Sequence, residues 1–301
     1  MDFMSNQKKK GLTLAKKHNL TGWAFLLPAT LLIGWMSFYP MIRAFILSLQ
    51  TGMGVNLSFN GLANYTRILK DPTFKQTLFN TFFYLIVQVP IMLVLALMFA
   101  SMLNNKDLRF KGLFRTCIFL PCATSLVSYA MIFRSLFAND GFINMVLRNL
   151  GMSPILWFGN AWTARAVIIV IILALIWRWT GYNMVFYLAG LQNIEYSVYE
   201  AAKIDGASPM QSFFKITVPL LKPTILLTAI TSTNGTLQLF DESLNLTNGG
   251  PGKSTMTMSH YIYNISFKQS PNFGYAAAMS ILILIMVAIL AILQMKVGDE
   301  R

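Results

Sequence analysis

The chain is poor in the side chains that most often bind metals or act as nucleophiles. Its 301 residues include two cysteines and two histidines. Cys117 and Cys122 provide neither a disulfide framework nor the spacing of metal ligands. His18 and His260 are isolated, and we find no Ser-His-Asp, Cys-His or paired-carboxylate arrangement. We therefore expect no metal site and no catalytic residue, and we do not expect the chain to be an enzyme.

The chain also lacks a nucleotide-binding loop. A Walker-type loop needs glycines at a fixed spacing, followed by Lys and then Ser or Thr. The nearest stretch, from Gly249 to Ser254, lacks that spacing and does not follow a predicted strand. We therefore expect no cofactor in this chain, and any ATP that drives it would bind to a separate subunit.

Long hydrophobic runs dominate what the chain does contain. Hydrophobic residues make up 55% of it and charged residues 12%. Six runs are long enough to cross a hydrocarbon core about 30 Å thick, which takes roughly 20 apolar residues. Because the backbone must satisfy its own hydrogen bonds in lipid, each run is expected to be helical. The sequence predicts an all-α polytopic membrane protein with six transmembrane helices at about residues 23–49, 78–103, 114–138, 163–190, 221–245 and 274–296.

Acidic residues are scarce, with 11 Asp and Glu against 24 Lys and Arg, so the net charge is +13. That excess would suit a nucleic-acid partner if it formed one patch. The basic residues are instead concentrated in the amino-terminal tail and after the second and fourth runs. Membrane proteins concentrate Lys and Arg on the cytoplasmic side. The distribution predicts that both termini are cytoplasmic and that there is no nucleic-acid partner.

The loop after the fourth run has a local pattern of its own. Good helix formers precede the turn signal Asp205-Gly206. Ser208 can then cap a second helix, with Pro209 at its first position and Gln211 three residues after the cap. The pattern predicts a helix, a turn and a second, capped helix on the cytoplasmic side.

This loop resembles the Glu-Ala-Ala (EAA) loop of ABC-importer permeases. Glu200-Ala201-Ala202, Gly206, Ile216 and Pro219 have the spacing of that family, although Val218 replaces its usual leucine. The resemblance covers about residues 20–297, and it is to the carbohydrate type of permease (maltose, glycerol phosphate and oligosaccharides), although Glu195 stands where proline is common. The other similar stretches are Tyr39-Pro40, Leu188-Ala189-Gly190-Leu191-Gln192, Phe240-Asp241, Leu246-Thr247-Asn248-Gly249-Gly250-Pro251 and Ser254-Thr255.

The resemblance implies a type I ABC-importer permease fold and a set of partners. These would be a second, related permease in a heterodimer, two ATPase subunits that bind ATP and Mg²⁺, and an extracellular substrate-binding protein. The protein would lie in the plasma membrane of a bacterium or archaeon, form the path for a carbohydrate such as an oligosaccharide, and couple to the ATPase through the EAA loop. The residues expected at that coupling contact are Glu200, Ala201, Ala202, Asp205, Gly206, Ala207, Phe213, Ile216 and Pro219, with Phe213, Phe214 and Ile216 holding the loop to the core.

This organisation divides the chain into three parts. Residues 1–20 form a basic cytoplasmic tail that can approach anionic lipid headgroups. Residues 21–297 form the six-helix transmembrane permease domain, with its cytoplasmic coupling loop at 195–219. Residues 298–301 form a cytoplasmic carboxy-terminal tail.

Polar residues of the fourth and fifth runs are candidates for the substrate path. Polar groups in membrane spans are costly and usually face a cavity. Amides, carboxylates and flat aromatic rings suit sugars, although the aromatic residues could equally be packing residues. Arg178, near the middle of the fourth run, needs a partner that the sequence does not identify. The expected path residues are Trp177, Tyr182, Asn183, Tyr187, Asn234, Gln238 and Asp241.

Two other functions stay open on the sequence alone. One is a secondary-active solute transporter, which would need ion-coupling groups at mid-membrane. The acidic residues of this chain lie toward the ends of the runs instead. The other is an ABC importer for a substrate that is not a carbohydrate, and the sequence does not identify which sugar would be carried.

Overall fold

The computed structural model describes residues 13–53, 56–105, 107–159, 164–268 and 271–299, and the chain there is mainly helical. Short π-helical turns lie at Gly34–Phe38, Phe213–Thr217, Ser243–Thr247 and Asn264–Lys268. The elements in chain order are α1 (Leu14–Ile33), α2 (Tyr39–Ser48), β1 (Gln50–Met53), β2 (Asn56–Phe59), α3 (Ala63–Lys70), α4 (Pro72–Asn104), α5 (Lys111–Ala123), α6 (Leu126–Leu136), α7 (Phe142–Asn149), α8 (Ala164–Gln192), α9 (Tyr196–Ile204), α10 (Pro209–Ser212), α11 (Val218–Leu220), α12 (Lys222–Leu237), α13 (Met258–Tyr263) and α14 (Phe273–Asp299).

Between four and six stretches of the described chain can cross a membrane. Four are single helical stretches, namely His18–Ser48, Pro72–Asn104, Arg165–Gln192 and Phe273–Gly298. Two more are pairs of helices bent at a break, α5 with α6 by 100° and the stretch Pro209–Leu220 with α12 by 67°. The prediction of a helical, multi-pass membrane protein is confirmed. The count of six, and the side of the membrane on which each terminus lies, stay predictions.

The third predicted span, 114–138, is not one continuous helix. Helix α5 ends at Ala123, Thr124 is extended (ψ 151°), and the Ser125 hydroxyl accepts a hydrogen bond from the Ser128 amide, 3.5 Å away, at the start of α6. Ser and Thr favour helix caps over helix interiors. The sharp bend therefore follows from a Thr-Ser cap that the hydrophobic count alone overlooked.

The fifth predicted span, 221–245, is also shorter than expected. Helix α12 ends at Leu237, and the chain leaves the helix at Gln238 before the π-helical turn Ser243–Thr247. Gln238, Asp241 and Glu242 line a cavity inside the bundle rather than extending the helix. The polar end of this run therefore lines a cavity, with Glu242 buried, Asp241 partly exposed and Gln238 exposed.

The buried core joins α4 and α8 to the other helices in three clusters. One lies between α4, α6 and α8, the second joins α3, α4, α13 and α14, and the third joins α4 to the end of α8 and to Leu221. Gly181 lets α5 approach α8 closely, because a Cβ there would lie 2.0 Å from the Ile118 carbonyl oxygen. In contrast, α1 and α2 expose most of their side chains, as a helix in contact with lipid or another subunit does.

A short antiparallel hairpin, which we did not predict, follows the first span. Strands β1 and β2 pair with Gln50 opposite Phe59 and Thr51 opposite Ser58. The Asn64 amide donates to the carbonyl oxygens of Ser48 and Gln50, each at 2.8 Å. This amide anchors α3 to the start of the hairpin.

The start of α4 is tied to α13 and α14 through one carboxylate. Asp71 caps α4, since its Oδ1 accepts from the Thr73 amide at 2.8 Å. Its Oδ2 accepts from the hydroxyls of Tyr261 (2.6 Å) and Tyr275 (2.7 Å). Burial alone would raise the pKa of Asp71, but these hydrogen bonds stabilise the anion, and the net effect is a lowered pKa.

His260 lies buried beneath the loop that joins α12 to α13. Ser243 donates its hydroxyl hydrogen to the Thr255 carbonyl oxygen (2.9 Å), so it accepts from His260 Nδ1, 2.8 Å away. In the described part of the chain, the buried His260 Nε2 has no hydrogen-bond partner. Burial, with a smaller contribution from Lys268, lowers the pKa of His260 to about 4. The histidine is therefore a neutral structural residue.

The helices extend beyond the predicted domain limits. Helix α1 begins at Leu14, so only part of the predicted 1–20 tail is outside it, and residues 1–12 lie outside the described residues. Helix α14 continues to Asp299, two residues into the predicted 298–301 tail.

Candidate functional site

A cavity of about 300 Å³ lies among α4, α8, α12 and the segment that follows α12. Amides, hydroxyls, carboxylates and aromatic rings face one another across it. Its lining consists of Gln88, Met92, Leu126, Leu175, Trp179, Tyr182, Asn183, Thr231, Ser232, Gly235, Thr236, Gln238, Leu239, Phe240, Asp241 and Glu242.

A buried polar network connects the three helices at the cavity wall. The Thr236 hydroxyl donates to Gln88 Oε1 (3.3 Å), and the Ser232 hydroxyl donates to Asn183 Oδ1 (3.4 Å). The amide nitrogens of Gln88 and Asn183 point at the Met92 sulfur, at 3.1 and 3.6 Å. A thioether is a weak acceptor. Asn183 Nδ2 also donates to the Trp179 carbonyl oxygen at 3.0 Å. Each amide group therefore has one hydrogen that only the thioether accepts, and that hydrogen is available to a better acceptor such as a sugar hydroxyl.

Two aromatic rings of α8, those of Trp179 and Tyr182, form a second wall of the cavity, and Phe186 continues their row outside the lining. Trp179, Tyr182 and Phe186 follow one another at spacings of three and four residues, which places them on one helix face. Their rings meet nearly edge to face, with centroids 5.8 Å apart for Trp179–Tyr182 and 5.1 Å for Tyr182–Phe186. Flat apolar rings beside polar hydrogen-bonding groups can hold a molecule that has both kinds of surface.

The Arg178 side chain binds the backbone at the break between α5 and α6. Its guanidinium donates to the carbonyl oxygens of Thr124 (2.9 Å), Pro121 (3.3 Å) and Cys122 (3.4 Å). It also lies over the Tyr129 ring, 4.9 Å from the centroid. Helix α5 ends at these carbonyls, where a cation is favoured by the helix dipole. The partner that the sequence did not identify is thus backbone more than 50 residues away.

Two carboxylates, Asp241 and Glu242, line the cavity. Glu242 is 4% exposed, and its electrostatic neighbours include Tyr129, Asp241 and Arg178. Asp241 is more exposed, and within the described residues it forms no salt bridge. In the sequence, Arg178 lies near the middle of the fourth run and Glu242 toward the end of the fifth, so the sequence did not predict that they would interact. The irregular segment after α12 brings them close enough for electrostatic interaction.

The segment between α8 and α12 folds as its sequence pattern predicts. Helix α9 ends in a Schellman motif, because the Ala207 amide donates to the Ala202 carbonyl (2.9 Å) and the Gly206 amide to the Lys203 carbonyl (3.1 Å). Gly206 has φ +80°, which glycine adopts readily. The capping box at the start of α10 is confirmed, with Ser208 and Gln211 exchanging both hydrogen bonds.

Most residues predicted for coupling lie on the outside of this segment. Glu200, Ala201, Asp205, Gly206 and Pro219 are exposed, Ala207, Phe213 and Ile216 are partly buried, and Ala202 is buried. Apolar side chains are exposed beside them, with Ile204 at 85% and Met210 at 67%. Phe214 is 60% exposed and does not hold the segment to the core as expected.

A cleft of about 820 Å³ separates this segment from the ends of α4 and α8. The Tyr199 hydroxyl lies 3.0 Å from the Thr217 hydroxyl, which joins α9 to the π-helical turn before α11. The cleft is lined by Ser101, Asn104, Asn105, Asp107, Leu191, Gln192, Ile194, Glu195, Tyr196, Tyr199, Pro209, Ser212, Phe213 and Thr217.

Residues 69–299 match the family model described as "Binding-protein-dependent transport system inner membrane component". The chain belongs to this family. It is 50% identical to the lactose transport system permease protein LacF of Rhizobium radiobacter, over 96% of this chain and 97% of the relative. It is 36% identical to the arabinooligosaccharides transport system permease protein AraP of Halalkalibacterium halodurans, over 88% and 85%. The permease is therefore a membrane component of a transport system rather than an enzyme.

The fold of the permease also matches solved ABC-transporter structures. A chain of a bacterial transporter involved in import of the acidic polysaccharide alginate superposes with a TM-score of 0.81, at 20% identity, over 94% of this chain and 96% of that one. This likeness shows the permease fold alone.

Four of the seven predicted path residues line the cavity, namely Tyr182, Asn183, Gln238 and Asp241. Three do not. Trp177 lies five and six residues before Tyr182 and Asn183, off their helix face, and its ring packs on Phe133 (5.5 Å) and Tyr129. Tyr187 is buried one turn beyond Asn183 and accepts from the Thr228 hydroxyl at 2.8 Å. Asn234 is exposed, and its side-chain oxygen accepts from Gln238, the residue that follows α12.

The wall contributed by α4 is what sequence reasoning missed in the permease. Gln88 is a polar residue inside an apolar run, and that was the available signal, but it was not among the path residues that we predicted. Met92 gives no signal at all, since methionine is common in apolar helices. Trp179 was identifiable from its helical spacing to Tyr182 and Asn183.

Proposed function

We propose that this chain is the permease subunit of an ATP-driven ABC importer, and that it forms the path for a carbohydrate, of oligosaccharide type, delivered by an extracellular binding protein. The observation that carries the proposal is the cavity. Amide donors, hydroxyls, carboxylate acceptors and aromatic faces converge there, and this combination suits a sugar ring with its hydroxyl edge and apolar faces. The similarity to LacF and AraP, which are named for lactose and arabinooligosaccharides, supports the same substrate class.

The cytoplasmic segment is the proposed contact with the ATPase. We propose that α9 and the turn after it contact an ATPase subunit through the expected set Glu200, Ala201, Ala202, Asp205, Gly206 and Ala207. Within this set Ala202 is buried and Ala207 is partly buried, so the exposed residues Glu200, Ala201, Asp205 and Gly206 would form the surface of the contact. The Schellman motif gives α9 a well-defined end. Exposed apolar side chains beside it, Ile204 and Met210, suit a surface that binds another subunit. The proposed role of Phe213, Ile216 and Pro219 is to transmit the movement to α12.

The proposal includes the rest of the assembly. A second related permease would complete a heterodimer, two ATPase subunits would bind ATP and Mg²⁺, and the bent helix pairs would count as spans three and five. Both termini would then be cytoplasmic, in the plasma membrane of a bacterium or archaeon. Closure of the ATPase pair would move α9 and bias the helix bundle between two states, which is allosteric coupling.

The test is uptake by the complete transport system reconstituted in vesicles. Labelled lactose and arabinobiose are offered with and without internal ATP, and with and without an ion gradient. We expect uptake that requires ATP and the binding protein and that survives collapse of the gradient. Uptake driven by the gradient alone would instead indicate a secondary transporter.

A variant pair tests the coupling segment. Glu200→Ala is expected to reduce uptake and retention of the ATPase subunit at least 10-fold while membrane insertion is unchanged. Glu195→Ala is the matched control, because it removes the same side chain from an exposed position just before the same helix. Normal uptake by the Glu200 variant would remove that residue from the proposed contact.

A further inference from the structure

We propose that the cavity selects uncharged sugars, and that Asp241 is the specificity-determining residue that excludes sugars bearing a carboxylate. This inference rests on the proposed function and names the substrate class of the same site. The fold leaves the charge of the substrate open, because the alginate importer that shares it handles an acidic polysaccharide. Whether the cavity binds a neutral or a charged sugar therefore depends on the side chains that line it.

The lining of the cavity has acidic groups but no basic ones. Asp241 and Glu242 line it, and within the described residues no Lys, Arg or His side chain does. A carboxylate ligand needs a cation or several N–H donors to replace its water. The amide groups of Gln88, Asn183 and Gln238 each use one hydrogen within the protein, toward the Met92 sulfur, the Trp179 carbonyl and the Asn234 side chain. The other hydrogen of each can be donated to a sugar hydroxyl, but these groups supply no charge.

Arg178, a cation whose charge reaches the lining residue Glu242, is already engaged elsewhere. Arg178 is 6% exposed, and its hydrogen bonds go to the carbonyls of Pro121, Cys122 and Thr124. Its charge also acts on the buried Glu242. Arg178 therefore stabilises the break between α5 and α6 and offsets Glu242, and it is not part of the lining that a substrate would touch.

Asp241 is left as the uncompensated charge. It is partly exposed in the cavity and makes no salt bridge among the residues that the structure describes. Its oxygens can accept hydrogen bonds from sugar hydroxyls but repel a second carboxylate. Two like charges about 6 Å apart, at an effective dielectric constant of about 20, correspond to roughly 100-fold weaker binding.

The test compares matched sugars on the purified complex of permeases and ATPases, without the binding protein, so that the selectivity of that protein does not enter. The probes are lactose and maltose, and each disaccharide oxidised at one C6 to the uronate. Dissociation constants are measured for the wild type and for Asp241→Asn, Asp241→Glu and Asp140→Asn. The last is the control, an identical change at an exposed aspartate on another loop.

We expect the wild type and Asp140→Asn to bind the preferred neutral sugar at least 10-fold more tightly than its uronate. Asp241→Asn should shrink this ratio at least 10-fold, and Asp241→Glu should preserve it. Equal or tighter binding of the uronate by the wild type, or an unchanged ratio in Asp241→Asn, would overturn the inference while leaving the importer proposal intact. Failure of the whole system to import any sugar would refute the proposed function itself.

Discussion

Replacement of Arg178 by methionine tests how the break between α5 and α6 is stabilised inside the bundle. Non-helical backbone inside a membrane protein is tolerated where other protein groups form hydrogen bonds with its free N–H and C=O groups. Arg178, on α8, donates hydrogen bonds to the backbone carbonyl oxygens of Thr124, Pro121 and Cys122 at this break. Methionine keeps a long apolar side chain but removes every donor and the charge.

The expected cost follows from these contacts. A buried acceptor left without its donor costs about 1–3 kcal/mol, and the bond to Thr124, at 2.9 Å, is the shortest of the three. Three carbonyl acceptors lose their donor in Arg178→Met, and the buried Glu242 also loses the electrostatic influence of a cation, although no salt bridge joins the two within the described residues. Relief from burying the guanidinium offsets part of this, so we expect a net loss of about 3–5 kcal/mol. Arg178→Lys keeps the charge but not the planar fork, and should lose about 1–2 kcal/mol.

The assay is the apparent free energy of unfolding of the purified permease complex in mixed micelles. A parallel readout is protease cleavage between Ala123 and Leu126, which should increase in the methionine variant. Arg165→Met is the matched control, because Arg165 is exposed near the start of the same helix. Stability of Arg178→Met within about 0.5 kcal/mol of the wild type, or a lysine variant less stable than the methionine one, would refute this reasoning.

Two further predictions concern groups near the ends of the spans. Asp71→Asn should cost about 1–3 kcal/mol of the free energy of unfolding, because an amide oxygen is a poorer acceptor for two tyrosine hydroxyls than a carboxylate. Because the pKa of Asp71 is lower in the folded protein than in the unfolded chain, the Asp71 carboxylate stabilises the fold at neutral pH, and this contribution is lost as the pH falls below about 3.8. If the stability of Asp71→Asn depended on pH in the same way as that of the wild type, the argument would be contradicted. For His260, the folded pKa of about 4 lies below the unfolded value of 6.5. Its contribution is therefore complete above pH 6.5 and lost progressively toward pH 4. His260→Gln should flatten that part of the curve, whereas His18→Gln, at an exposed position, should leave it unchanged.

The coupling segment illustrates how much could be predicted from local sequence. The turn at Gly206 and the capping box of Ser208 and Gln211 formed as expected, because hydrogen bonds within a few residues determine both. The third span illustrates the limit. Its apolar composition predicted a continuous helix, but composition does not show where a Thr-Ser pair will cap and bend the chain.

The sequence by itself determined that this is a helical membrane protein. Its hydrophobic runs are long enough to span a bilayer, and in lipid each run forms its backbone hydrogen bonds within itself, as a helix. The tertiary structure decided which polar groups meet. The rotation of α4 about its axis places Gln88 and Met92 opposite Asn183, and the end of α12 brings Glu242 near Arg178. Neither arrangement can be predicted from one helix, because helix rotation and chain breaks are determined by packing between segments distant in sequence.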